Sequence, residues 1–137
     1  MEEPPTFWGE VDLLKNGDPW ETKIYGAFTN HEETFAISIQ TFNSGGFLSE
    51  NLSIHTIPLE TGVFKIMKSD FNNQLLGSRY STYWQDGDVL AGLWNVSEQD
   101  STSYIEITSL DLVTGEVRGN FQVTHIISPA SKEKFDA

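Results

Sequence analysis

The feature that most constrains this chain is a hydrophobic period of two. In "TFAISIQTF" Phe35, Ile37 and Ile39 share one face, while Ala36, Ser38 and Gln40 share the other. "LSIHTI" sets Leu52 and Ile54 against Ser53 and His55. "GVFKIM" aligns Phe64 with Ile66 and leaves Lys65 outward, and "SYIEITSL" aligns Ile105 with Ile107 against Glu106 and Thr108. "EVRGNFQV" aligns Val117, Phe121 and Val123 opposite Glu116, Arg118, Asn120 and Gln122. Such alternation describes an antiparallel sheet with one face buried and one wet.

Turn signals punctuate these runs at short intervals, at 15–19, 28–33, 42–46, 58–62, 70–73, 85–88, 97–101 and 112–115. Asn-Gly and Asp-Gly among them are hairpin chemistry, because both tolerate positive φ. The spacing predicts an all-β chain, an antiparallel β-sandwich or lipocalin-like barrel of about nine short strands. No helix of ordinary length fits. Residues 72–80 have room for one turn, and 128–137 for a short helix or a frayed end. "DVLAGLWNV" is apolar on both faces and reads as a central or covered strand, with Gly92 marking a bend or close contact. The expected organisation is a flexible N-terminal tether at 1–6, a single all-β domain at 7–128 and a C-terminal tail at 129–137.

Charge narrows the function. The 137 residues carry 20 acids against 8 basic groups, a net charge of -12. A field of that sign repels phosphodiester backbones and anionic lipid, so neither nucleic acid nor a membrane surface is an expected partner. Surplus acid also keeps a domain soluble and monomeric. The absence of cysteine removes disulfides, thiolate metal sites and cysteine nucleophiles together. The stretch "MEEPPTFWGE" has no basic region followed by an apolar one, so it does not read as a signal peptide. Either the protein is cytoplasmic, or it is an exported domain whose leader was removed and Met1 added.

Tests for catalytic chemistry yield no residue. In "LDLVTGEVRGNFQV" the glycines are one residue too close for a phosphate loop, no Lys-Ser/Thr follows, and the next element is a strand. It reads as the final hairpin. Gly115 supplies the positive φ of the turn, and Gly119, on the face of Val117 and Phe121, marks a bulge, bend or close backbone approach. No serine sits in a nucleophile elbow. His31 lies in a turn and His55 on an outward face. His125 is in phase with Val117, Phe121 and Val123, either as a half-buried histidine or as a site group near a strand end. Metal-ligand spacings are missing, and the acids of "NGD" (16–18) and "DGD" (86–88) serve turns as well as they would serve calcium. No catalytic residue, metal or cofactor is assigned.

The aromatic residues carry the binding expectation. Tyr80, Tyr83, Trp84 and Trp94 cluster in mid-chain, while Trp8 and Trp20 flank the first hairpin. Such residues either cap a core or form a stacking platform for a sugar ring. Tyr83 and Trp84 are adjacent on a strand and point to opposite faces, so one platform takes at most one of them. Tyr80, Trp84, Trp94 and His125 are the candidate ligand-binding residues.

Three segments resemble a family of small lipoprotein domains common in Bacteroidota. "VDLLKNGDPWET" (11–22) is similar to its opening v-x-G-x-x-W-x-a. "IPLETGVFKI" (57–66) is similar to its Ip-x-x-x-G-x-Y-x-l segment, with Phe64 replacing the tyrosine. "IEITSLDLVTGEVRGNFQVTHI" (105–126) resembles its ending, v-x-I-T-x-x-D-x-x-x-x-x-I-x-G-x-F-x-f. The resemblance implies an exported β domain in the periplasm or at the cell surface, lipid-anchored in its precursor. It carries over no catalytic residue, and the matching Gly17, Trp20, Gly62, Asp111, Gly119 and Phe121 read as architectural. The leading expectation is a non-catalytic envelope domain that binds a glycan, a small ligand or an envelope protein. The alternatives are a glycan hydrolase with paired carboxylates and a structural or adhesion-type spacer.

Overall fold

The computed structural model describes residues 12–20, 22–28, 34–68, 75–84, 89–97, 100–111, 116–128 and 131–136. Within them the chain forms twelve strands and no helix. They are β1 (Leu14–Lys15), β2 (Asp18–Pro19), β3 (Lys23–Phe28), β4 (Thr34–Phe42), β5 (Leu48–Pro58) and β6 (Gly62–Lys65), then β7 (Met67–Lys68), β8 (Gly77–Trp84), β9 (Val89–Val96), β10 (Tyr104–Asp111), β11 (Glu116–Ser128) and β12 (Ser131–Asp136). All twelve belong to one sheet, in the order β2-β1-β12-β11-β9-β8-β5-β4-β3, with β10 joining β11 to β6, and β7 beside β8. Among the described residues only the β7–β8 pairing is parallel. The sheet curls into a half-barrel rather than splitting into two layers.

Register shows why the alternating pattern curls. Ile39, Leu52, Tyr80 and Trp94 stand in one cross-strand row over β4, β5, β8 and β9. Phe64, Ile105 and Phe121 form a second row over β6, β10 and β11, and Val123 pairs with Phe135 of β12. These residues lie inside the curl, where Ile39, Leu52, Ile54, Ile57, Val123 and Phe135 lose all contact with solvent. Burying so much of one face demands curvature, and β-bulges supply it. Register shifts occur at Phe35/Ile37, Thr41/Phe42, Thr82/Tyr83, Ile107/Ser109 and Ile126/Ser128. Each extra residue bends its strand and strengthens the local twist.

The turns follow their residues. Asn16 and Gly17 both have positive φ, 53° and 86°, between the paired Lys15 and Asp18. That is the type I′ hairpin that Asn-Gly favours. Asn43 Oδ1 accepts from Gly45 N and Phe47 N and so ties the β4–β5 loop. Gly92 lies beneath the Trp94 ring, the close contact expected of it.

Two expectations are corrected. Residues 131–136 are neither a helix nor a frayed tail but a strand between β11 and β1. "SKEKFD" offers one apolar residue, Phe135, too little for a period to show, yet that ring is fully buried and anchors the strand. Residues 77–80 are the start of β8 rather than a helical turn. Trp8, His31, Gly115 and 86–88 lie outside the described residues.

Gly119 pairs with Ile107 at the bulge of β10, and a Cβ built on it would overlap the Glu106 carbonyl. Gly119→Ala forces backbone apart and is expected to cost about 1–3 kcal/mol by urea unfolding. Gly45→Ala meets only the Phe47 ring edge and the Asn43 side chain and serves as the milder control. Equal losses at the two positions would refute the close-approach reading.

Candidate functional site

Among the described residues, two polar clusters inside the half-barrel bring together groups able to do chemistry. The first is at the mouth. Lys15 pairs with Phe135 and therefore shares the inward face. Its ammonium reaches across the curl to Glu50 Oε2 at 2.9 Å and the Tyr80 hydroxyl at 2.9 Å. Tyr80 donates to the same Glu50 oxygen at 2.5 Å, and Thr41 donates to Oε1 at 3.2 Å. Lys15 Nζ also lies over the Trp20 ring, 5.6 Å from its centroid.

Charges in this corner are mutually consistent. Burial pushes the Glu50 carboxyl up, but hydrogen bonds from Tyr80 and Lys15, the Lys15 charge and the Thr41 hydroxyl outweigh it and hold the group below its ordinary value. Burial first, then donation to the Glu50 carboxylate, pushes the Tyr80 phenol far up, so it stays protonated. The arrangement is an ionised pair bridged by a neutral hydroxyl.

The second place lies deeper. Ser78 and His125 are both fully buried, with Ser78 Oγ 2.8 Å from His125 Nε2. Ser78 donates its single proton to the Ser53 carbonyl at 2.7 Å. Nε2 must then carry a hydrogen and donate to Ser78, leaving Nδ1 as a buried lone pair with no partner among the described residues. This is the reverse of nucleophile activation, in which histidine takes the serine proton. Burial pushes His125 down to about 3, against an opposing pull from Asp100.

Three of the four expected ligand-binding residues come together here. Tyr80 and Trp94 rings lie 5.1 Å apart, Tyr80 and His125 6.3 Å, and Phe135 packs against Tyr80 at 4.9 Å and His125 at 5.5 Å. Tyr80 and His125 sit in the core rather than on an exposed platform, and Trp94 is half-buried against them. The Trp84 side chain lies outside the described residues. His55 is half-buried on the outward face, lowered by burial and by the Arg79 charge. No three His, Asp or Glu side chains among the described residues gather as metal ligands would.

Lys15, Glu50 and Ser78 were not singled out by sequence. A signal existed for two of them. Glu50 is in phase with Leu52 and Ile54, and Ser78 with Tyr80, so both polar residues fall on an inward face. The site thus defines an all-β half-barrel with a polar clamp at its mouth and a Ser–His pair in its core. No protein-family model, no curated protein and no solved structure matches the chain.

Two outcomes follow. Ser78→Ala strands the buried Nε2–H and is expected to cost about 1–3 kcal/mol in urea unfolding; a neutral effect would refute the donor assignment. His125 has a folded value near 3, below its ordinary 6.5. Between these values the unfolded chain binds a proton that the folded chain refuses, so stability falls as pH drops below 6.5. Glu50 adds to the loss only below its ordinary value of 4.5, whereas His55, also lowered, shares the upper window. His125→Gln should therefore flatten stability against pH between 6.5 and 5, leaving the His55 part. An unchanged slope would refute it.

Proposed function

We propose that the protein is a non-catalytic binding domain of the cell envelope, with a glycan as the ligand that its polar outer face suits. One observation carries this reading. Lys15, Glu50 and the Tyr80 hydroxyl are spent on one another, whereas the outward face carries an ordered rank of hydrogen-bonding side chains. Asn51 Oδ1 accepts from Ser38 at 2.7 Å and Gln40 at 3.3 Å. On the next strand Ser81 donates to the Tyr83 hydroxyl at 2.9 Å. Planar amides and hydroxyls of the half-buried Ser38, Gln40, Asn51 and Tyr83, with Tyr83 held by the buried Ser81, offer donors and acceptors to a polyhydroxylated ligand at little ordering cost. The resemblance to envelope lipoprotein domains supports an exported, lipid-anchored setting. The charge of -12 favours neutral ligands over nucleic acid or anionic lipid. The domain acts as a monomer in this reading.

A glycan array spanning envelope and dietary polysaccharides tests the ligand class. The expected outcome is binding that falls at least tenfold in Asn51→Ala, since Asn51 orders both Ser38 and Gln40. A flat response across the array would overturn the glycan reading. For the setting, a lipobox cysteine in the genomic sequence upstream of Glu2 is expected, and a native Met1 with no export signal would overturn it.

A further inference from the structure

We infer that the corner formed by Glu50, Tyr80 and Trp20 is a receiving site for a primary ammonium group, and that the chain's own Lys15 fills it. The elements of such a site converge at one nitrogen. A carboxylate oxygen stands 2.9 Å from Lys15 Nζ. A hydroxyl stands at the same distance, with its proton already given to that carboxylate and a lone pair free to accept. The Trp20 ring lies within 6 Å, the reach of a cation–π contact. The cage walls are braced from behind. Trp20 packs 5.0 Å from Phe135 and edge-on to Tyr80 at 6.3 Å.

The occupant is the end of a flexible side chain, whereas the carboxylate and hydroxyl it meets stand on firm strands. Glu50 and Tyr80 belong to long strands of 11 and 8 residues in the sheet centre. Lys15 belongs to a two-residue strand joined to β12 by the pairs Leu14–Asp136 and Lys15–Phe135. The corner opens to solvent, with the Lys15 and Glu50 side chains 26% and 21% exposed. Withdrawing one flexible lysine leaves the carboxylate, hydroxyl and Trp20 ring in place for an ammonium supplied from outside, and the net charge of -12 draws cations toward it. Lys15 is thus an autoinhibitory plug, and the ligand is either a lysine side chain of a protein partner or a free alkylamine. The outer glycan face plays no part, so failure of the glycan reading leaves this inference standing.

The test is titration calorimetry of the full chain at low salt with n-butylammonium, a short lysine-bearing peptide, and n-butanol as the uncharged control. Lys15→Ala is expected to bind n-butylammonium at least tenfold more tightly than the wild type and to ignore n-butanol. Adding Glu50→Gln should abolish that binding. In the wild type, tighter binding of the peptide than of n-butylammonium assigns a protein partner, and equal binding assigns free amines. If Lys15→Ala does not fold alone, refolding by n-butylammonium and not by n-butanol supports the site, and no rescue overturns it. Equal affinity for amine and alcohol, binding that survives Glu50→Gln, or a wild type that binds n-butylammonium as tightly as Lys15→Ala would each overturn it.

Discussion

The hydrogen bond from Tyr80 to Glu50 ties the two halves of this structure together. The Tyr80 ring is core, packed on Phe135 and Trp94, while its hydroxyl stands at the barrel mouth. A buried phenol without an acceptor would carry a desolvation cost of about 1–3 kcal/mol. Glu50, one position from Leu52 along the inward face, supplies the acceptor. A carboxylate so placed needs a positive charge, and Lys15 arrives from the far end of the sheet order. A curl in which β1 and β5 face each other is what that ion pair requires. Each polar group therefore justifies the next, and the chain of need ends at the hairpin.

That hairpin shows how local and long-range chemistry agree. Asn16 and Gly17 make the I′ turn, and the same Asn16 binds β12 through three contacts. Its amide donates to the Lys134 carbonyl, its Oδ1 accepts from Lys134 N, and its Nδ2 donates to Glu133. One residue both turns the chain and docks it, so Lys15 arrives at Glu50 with its backbone fixed.

The architecture was legible wherever a strand repeats its pattern. The Phe35–Ile39, Leu52–Ile54 and Ile105–Ile107 alternations all face the core. β12 escaped because one phenylalanine in six residues makes no period, and only the finished sheet gives it neighbours. Within the site, Tyr80, Trp94 and His125 stood out as aromatic or titratable. Lys15 did not, because its role depends on a contact 35 residues away in sequence. Closure of a curled sheet is the information that a local pattern lacks.

The two polar clusters also differ in what they permit. His125 and Ser78 are fully buried, and desolvation there outweighs the pull of Asp100, which is why burial drives the imidazole to its neutral form. Glu50 remains ionised only because partners outweigh the same desolvation. Its partners are a flexible lysine and a fixed tyrosine, and only the first can leave. A site whose charge balance depends on one movable cation is chemically ready to exchange it. A buried, neutral pair has nothing to exchange. The capacity to bind a charged ligand therefore lies at the mouth, and the core pair holds the strands that carry it.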